Sequence, residues 1–224
     1  DAGAFDTYYM EKIDEAGSMA QTDFYDYWMI ANGSLKRQSN SVGGSDVSDV
    51  AVLTYKERTY EDFVATIEYQ KTPGRLMFFF GTENGSYPLY RDDAGDQENG
   101  GVILYPENDM GAGGGICAVG EVKLANAGYR PIYYVKPYAP GYHDQEEWLS
   151  NVGNTYTMTV AVINKHCYVY VEGFGLITDF DLMDDYDGGY LSLASSSTAQ
   201  HGFKSFSVTA IDRASGSVIA DADA

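Results

Sequence analysis

The stretch NTYTMTVAVINKHCYVYVE, residues 154–172, decides the fold class. Apolar and polar residues alternate up to Asn164-Lys165 and alternate again after it. Successive side chains on a strand point to opposite faces, so the pattern is that of two strands meeting at a two-residue turn. Pairing about Asn164-Lys165 sets Val162 opposite Cys167 and Val160 opposite Val169. With Tyr156, Met158 and Val171 these form a core face; Thr157, Thr159, Ala161, Tyr168 and Tyr170 form the other.

The same pattern extends along the chain. In Asp62–Gln70, Phe63, Ala65, Ile67 and Tyr69 share one face, and Val64, Thr66 and Glu68 the other. Arg75–Gly81 is nearly all apolar, as in a central strand covered on both faces. Asn32-Gly33 stands between two extended runs, Tyr25–Ala31 and Ser34–Gln38. Both turn residues tolerate positive φ, which makes this pair a strong hairpin signal. Val50–Tyr55, Gly101–Tyr105, Gly115–Leu124, Pro131–Lys136, Gly189–Ala194 and Lys204–Asp212 read as further strands. Helical character is confined to a short turn over Asp144–Leu149. About a dozen strands punctuated by turns imply an all-β, antiparallel sandwich or barrel. Residues 1–213 are expected to form one domain, and the small, polar residues 214–224 a tail or linker.

The 224 residues suffice for one such core without staples. The 33 acids outnumber the 14 bases, for a net charge of −19. Nucleic acid is a poor partner for this surface, because phosphate contacts need clustered Lys and Arg. No stretch approaches the roughly 18 consecutive apolar residues of a membrane span. Asp1–Asp6 has neither a basic region nor an apolar core, so the chain reads as a mature or excised part of something larger. Cys117 and Cys167 lie in strand-like runs, and both a disulfide and two buried free thiols fit that placement.

Tools of catalysis are scarce. His143, His166 and His201 lack zinc-ligand spacing, and there is neither a nucleophile elbow nor a P-loop. Gly113–Ala118 matches G-x-G-x-x-A, but it enters a strand rather than a helix and reads as a turn. Glycoside hydrolysis needs two carboxylates across a cleft. No strand carries the E-x-D-x-x-E or E-x-D-x-E spacing that gathers acids at one site: Glu68 stands alone, and Asp144-Gln145-Glu146-Glu147 falls in a loop.

Three segments carry a resemblance: Trp28-x-x-x-Asn32-Gly33-x-Leu35-Lys36, then Ala51-Val52-Leu53-Thr54-Tyr55, then Tyr60-x-Asp62-Phe63-x-x-x-Ile67-Glu68-Tyr69. Phe203-Lys204-x-Phe206-x-Val208 followed by Asp212 completes it as a closing strand. The chain resembles the concanavalin-A-like lectin/glucanase superfamily. Within it, the chain is similar to the fructan-binding modules of carbohydrate-binding module family 66 and to 3-keto-disaccharide-hydrolase-like domains. The resemblance implies a jelly-roll sandwich from a multidomain, extracellular, bacterial carbohydrate-active protein, secreted or at the cell surface. It also implies a structural calcium near the first and last strands, with Asp212 as a ligand. The segments Tyr87–Glu98 and Tyr129–Trp148 match no pattern of these families, so the ligand has to be argued from the site.

Sugar rings stack their C–H faces on aromatic rings and exchange hydrogen bonds with planar polar groups. Eight of the twenty tyrosines fall between residues 87 and 142, a quarter of the chain. Glu83, Tyr87, Tyr90, Arg91, Asp92, Tyr142 and Trp148 are therefore the expected ligand contacts. Arg91 leads because basic residues are scarce, and Trp148 because it follows three acids in a polar loop. Two acidic runs, Asp92, Asp93, Asp96 and Glu98, and Asp179, Asp181, Asp184, Asp185 and Asp187, read as solvated turns and as alternative calcium loops. The expected function is non-catalytic capture of a polysaccharide or oligosaccharide, fructan or another glycan, with no cofactor required. A glycoside hydrolase or lyase using two loop carboxylates, and a surface adhesion module, remain the alternatives.

Overall fold

The computed structural model describes residues 4–10, 19–38, 50–70, 76–82, 101–107, 115–121, 132–133, 155–173, 175–182, 186–196, 202–212 and 217–219. They form strands β1 (Phe5–Met10), β2 (Met19–Thr22), β3 (Trp28–Ala31), β4 (Ser34–Arg37), β5 (Val50–Tyr60), β6 (Phe63–Gln70), β7 (Leu76–Thr82) and β8 (Gly101–Glu107). The chain continues with β9 (Gly115–Glu121), β10 (Ile132–Tyr133), β11 (Thr155–Ile163), β12 (His166–Val171), β13 (Gly175–Asp181), β14 (Gly189–Ser196), β15 (Phe203–Asp212) and β16 (Ser217–Ile219). One helical turn, α1 (Phe24–Tyr27), precedes β3.

The strands make two antiparallel sheets. Sheet one runs β10-β9-β8-β7-β14-β5-β1-β2; sheet two runs β13-β12-β11-β6-β15-β4-β3, with β16 also paired to β15. The hairpin of residues 154–172 has the expected register, with Val162 opposite Cys167 and Val160 opposite Val169. Asn164 and Lys165 take φ of 51° and 61°, and Asn32 and Gly33 take 54° and 69°. Positive φ at both central residues gives a turn whose twist matches that of the strands it joins.

Alternation along β6, β11 and β12 turns Phe63, Ala65, Ile67, Tyr69, Met158, Val160, Val162, Cys167 and Val169 inward. They meet Leu53, Phe78, Phe80, Leu191 and Leu193 of sheet one. Phe63 is the hinge of this packing, with ring centroids 5.5 Å from Phe80, 6.3 Å from Phe78 and 6.2 Å from Tyr60. Tilted and edge-on rings are the favoured arrangement of such pairs, and full burial of each side chain stabilises by about 1.5–3 kcal/mol.

The two sheets differ on their outward faces. In sheet one, Val52, Thr54, Met77, Phe79, Ser192 and Ala194 alternate with the core residues yet are buried too. This agrees with the doubly apolar run at β7. In sheet two the outward face is open: Val64, Thr66, Glu68, Thr157, Thr159 and Tyr168 are half-buried, and Tyr170 is exposed.

Some local features depart from the sequence reading. The run Tyr25–Ala31 is not all strand, because its first half is α1. Asp26 Oδ2 accepts the Asp23 backbone N–H at 3.3 Å, and the Gln38 amide donates to the carbonyls of Tyr25 and Trp28 at 2.8 and 2.7 Å. A residue eleven positions past the turn thus holds it. Residues 217–219, within the expected tail, pair with Ala210–Asp212. Cys167 is a free thiol, fully buried, and that burial pushes its pKa up. The expected helical turn at Asp144–Leu149 lies outside the described residues.

Candidate functional site

The open face of sheet two is the best-defined surface that chemistry could use. It is built by alternation. On β12, His166, Tyr168 and Tyr170 are two residues apart and point outward together. On β11 they stand opposite Ile163, Ala161 and Thr159. On β13 they stand opposite Asp181, Asp179 and Leu176, with a register shift between Val169 and Tyr170. Tyr170 is 43% exposed, Leu176 41% and Ile163 43%. Beyond β11 the face continues into Thr66 and Glu68 of β6 and Ser205 and Ser207 of β15. Thr66 and Thr159 hydroxyls lie 3.5 Å apart, and Ser205 donates to Glu68 Oε2 at 3.4 Å. The surface is a shallow field of hydroxyls and carboxylates around two tyrosine rings.

At one edge the polar groups are tightly organised. His166 Nδ1 lies 2.6 Å from Asp181 Oδ1, and its Nε2 lies 2.9 Å from Asp179 Oδ2. The ring also leans on Tyr168, with centroids 4.5 Å apart. The hydrogen bond to Asp181 is the main cause that raises the His166 pKa above its usual value; partial burial opposes it, and Asp179 reinforces it. The adjoining turn is pinned from two sides. Asp62 Oδ1 accepts the Asn164 N–H at 3.1 Å, and the Lys165 carbonyl accepts the Leu182 N–H at 2.8 Å.

This cluster corrects part of the sequence reading. Asp179 and Asp181 are not in a solvated turn; they sit in strand β13 and are engaged by His166. Asp187 is exposed. Asp212 is half-buried at the end of β15, its backbone paired with Ser217. Among the described residues no group of three or more His, Cys, Asp or Glu is placed to hold a metal ion.

The seven expected ligand contacts, Glu83, Tyr87, Tyr90, Arg91, Asp92, Tyr142 and Trp148, lie outside the described residues, as do Asp93, Asp96, Glu98, Asp184 and Asp185. The strand ends from which they spring are described. The first five follow β7, whose end at Thr82 is opposite Tyr190, at the rim that carries the β5–β6 turn. Tyr142 and Trp148 precede β11, whose start at Thr155 is opposite Gln70, at the other rim. Alternation in the sequence puts Tyr168 and Tyr170 on a non-core face, but their joining with His166, Asp179 and Asp181 emerges only from the strand pairing. The signal was present in the two-residue spacing of both sets.

No protein-family model matches the sequence, and no curated protein matches it. Solved structures do match. An alginate lyase from Pseudomonas aeruginosa superposes with a TM-score of 0.54 at 11% identity, covering 93% of this chain and 98% of that one. The metal-free carbohydrate recognition domain of Emp46p gives 0.51 at 11% identity, over 93% and 96%. The legume lectin-like domain from Entamoeba histolytica gives 0.50 at 9% identity, over 83% and 87%. At such identities the likeness is one of fold. The two sheets, their antiparallel order and these superpositions give this chain an antiparallel β-sandwich fold, shared with these lyase and lectin-like structures.

Proposed function

We propose that this chain is a non-catalytic carbohydrate-binding module that captures a glycan on the open face of sheet two. The observation that carries the reading is the pair of outward tyrosines, Tyr168 and Tyr170, set among threonine hydroxyls and the carboxylates of β13. A pyranose or furanose ring presents C–H bonds on one side and hydroxyls at its edge. The tyrosine rings suit the first, and hydroxyls and carboxylates suit the second. The net charge of −19 favours a neutral or cationic glycan over an acidic one. Two of the superposed structures are described as lectin-like or carbohydrate-recognising, which supports sugar as the ligand class. Fructan, secretion, a bacterial source and linkage to other domains belong to the proposal through the sequence resemblance. Glu83, Tyr87, Tyr90, Arg91, Asp92, Tyr142 and Trp148 belong to it as a second set of contacts, through their chemistry.

A second reading, a polysaccharide lyase or hydrolase, is favoured by the likeness to an alginate lyase. At the described cluster it has little support. Both ring nitrogens of His166 already face carboxylates, which leaves no free nitrogen to take a substrate proton.

The test is a panel of neutral and acidic polysaccharides, assayed by affinity electrophoresis and by product release. The variants are Tyr170→Ala, Tyr90→Ala and Trp148→Ala. Retardation by a neutral glycan without product, weakened in Tyr170→Ala, supports capture on sheet two. Weakening in the other two alone moves the site to the connecting segments. Released product establishes the enzyme, and silence across the panel leaves adhesion to protein.

A further inference from the structure

We infer that His166 is an imidazolium clasp that fastens the edge strand β13 to sheet two, so that loss of its proton loosens the strand and weakens glycan capture beside it. The second half rests on the sugar-binding reading above; the first does not.

The geometry requires the cation. An ionised carboxylate only accepts hydrogen bonds, while a neutral imidazole has one N–H and one lone pair. With Nδ1 2.6 Å from one carboxylate and Nε2 2.9 Å from another, a neutral ring would press its lone pair against an oxygen. Only the imidazolium donates to both, and such charge-assisted bonds are roughly twice as strong as neutral ones. Both acceptors belong to β13, so the ring acts as a two-point fastener between neighbouring strands.

β13 is the strand that such a fastener would control. It is last in the order of sheet two, pairs only with β12 among the described residues, and has an irregular register at Val169/Tyr170. Around the ring, β13 presents Asp179 and Asp181, and β12 presents Tyr168. β11 presents Ile163, which does not ionise. The turn contributes Lys165, the neighbouring residue in sequence, and Asp62 is turned toward the Asn164 N–H. The two β13 carboxylates thus dominate.

Closing raises the proton affinity of the ring, so the stabilising contribution is full below about pH 6.5 and is lost as pH rises through the higher value of the closed strand. The closing equilibrium falls by the ratio of the ring's acid dissociation constants in the open and closed strand. Asp179 stands opposite Tyr168, and Leu176 opposite Tyr170, so an opened β13 takes one wall from the glycan-binding face.

The test follows the full chain by NMR. The His166 ring, identified through His166→Gln, is expected to titrate above 6.5 and to fall in Asp181→Asn and, less, in Asp179→Asn. Amide protection in β13, corrected for intrinsic exchange, is expected to drop across that titration, with no such step in His166→Gln. Asp181→Asn, an exposed and conservative change, supplies the comparison if His166→Gln fails to fold. A wild-type ring at or below 6.5, a ring unmoved by Asp181→Asn, or equal β13 protection on both sides overturns the clasp. Affinity for a glycan that binds in the panel is expected to fall over the same pH range; unchanged affinity, or no binding at all, overturns the coupling and leaves the clasp to the first two readouts.

Discussion

Gly188→Ala isolates how tightly the rim of the sandwich is closed. Gly188 leads into β14 with φ of +89°, and an added Cβ would lie 2.5 Å from the Tyr60 carbonyl oxygen, 2.8 Å from Glu61 Cα and 2.9 Å from the Tyr60 carbonyl carbon. All three are backbone atoms. They cannot retreat easily, because Tyr60 is 2% exposed and the Glu61 carbonyl accepts the Tyr186 hydroxyl at 3.2 Å. Left-handed backbone costs an alanine about 1–2 kcal/mol, and overpacking adds about 1–3 kcal/mol. The expected loss is therefore about 2–5 kcal/mol, a large share of the 5–15 kcal/mol typical of a domain. Gly33→Ala is the matched control. Its φ is +69°, but a Cβ there meets nothing within 4 Å, so only the conformational cost of about 1–2 kcal/mol applies. Urea denaturation of both variants, read at an unchanged m-value, gives the difference. Equal losses, or a smaller loss at Gly188, would refute the steric argument and the closeness of β14 to the β5–β6 turn.

Two further outcomes follow from strain and burial. Lys165 holds φ of 61° without being glycine, so Lys165→Gly relieves about 1–2 kcal/mol and returns about 0.4–1 kcal/mol to the unfolded chain. A net gain of up to about 1.6 kcal/mol, seen as a small rise in Tm, is expected; a fall would show that the lysine side chain outweighs the turn. The Cys167 thiol is fully buried and its pKa is raised, so a thiol reagent is expected to label it only at the rate of unfolding, and fast labelling of the native chain would contradict its place in the core.

The hairpin at 154–172 was legible to the residue because its core face is buried, and a one-residue slip would turn Val160, Val162, Cys167 and Val169 to water. The same logic gave β6, β7 and the Asn32-Gly33 turn. β13 was not read as a strand, because its acids continue into the acidic run that follows and are engaged by a histidine from another strand. α1 was hidden for a related reason: Gln38, distant in sequence, caps a segment whose residues favour strand. The candidate site was half legible. Periodicity assigned Tyr168 and Tyr170 to the outward face, but only strand pairing shows that β13 delivers carboxylates beside them.

The central claim is that a glycan rests on the open face of sheet two. The most direct measurement is to titrate a panel glycan into isotope-labelled protein below pH 6.5 and map the amide and tyrosine-ring shifts. The account expects saturable changes centred on Tyr168 and Tyr170 and reaching Thr159 and Leu176, with no product formed and with affinity about tenfold weaker in Tyr170→Ala. Changes confined to other strands, or affinity untouched by Tyr170→Ala, would contradict it.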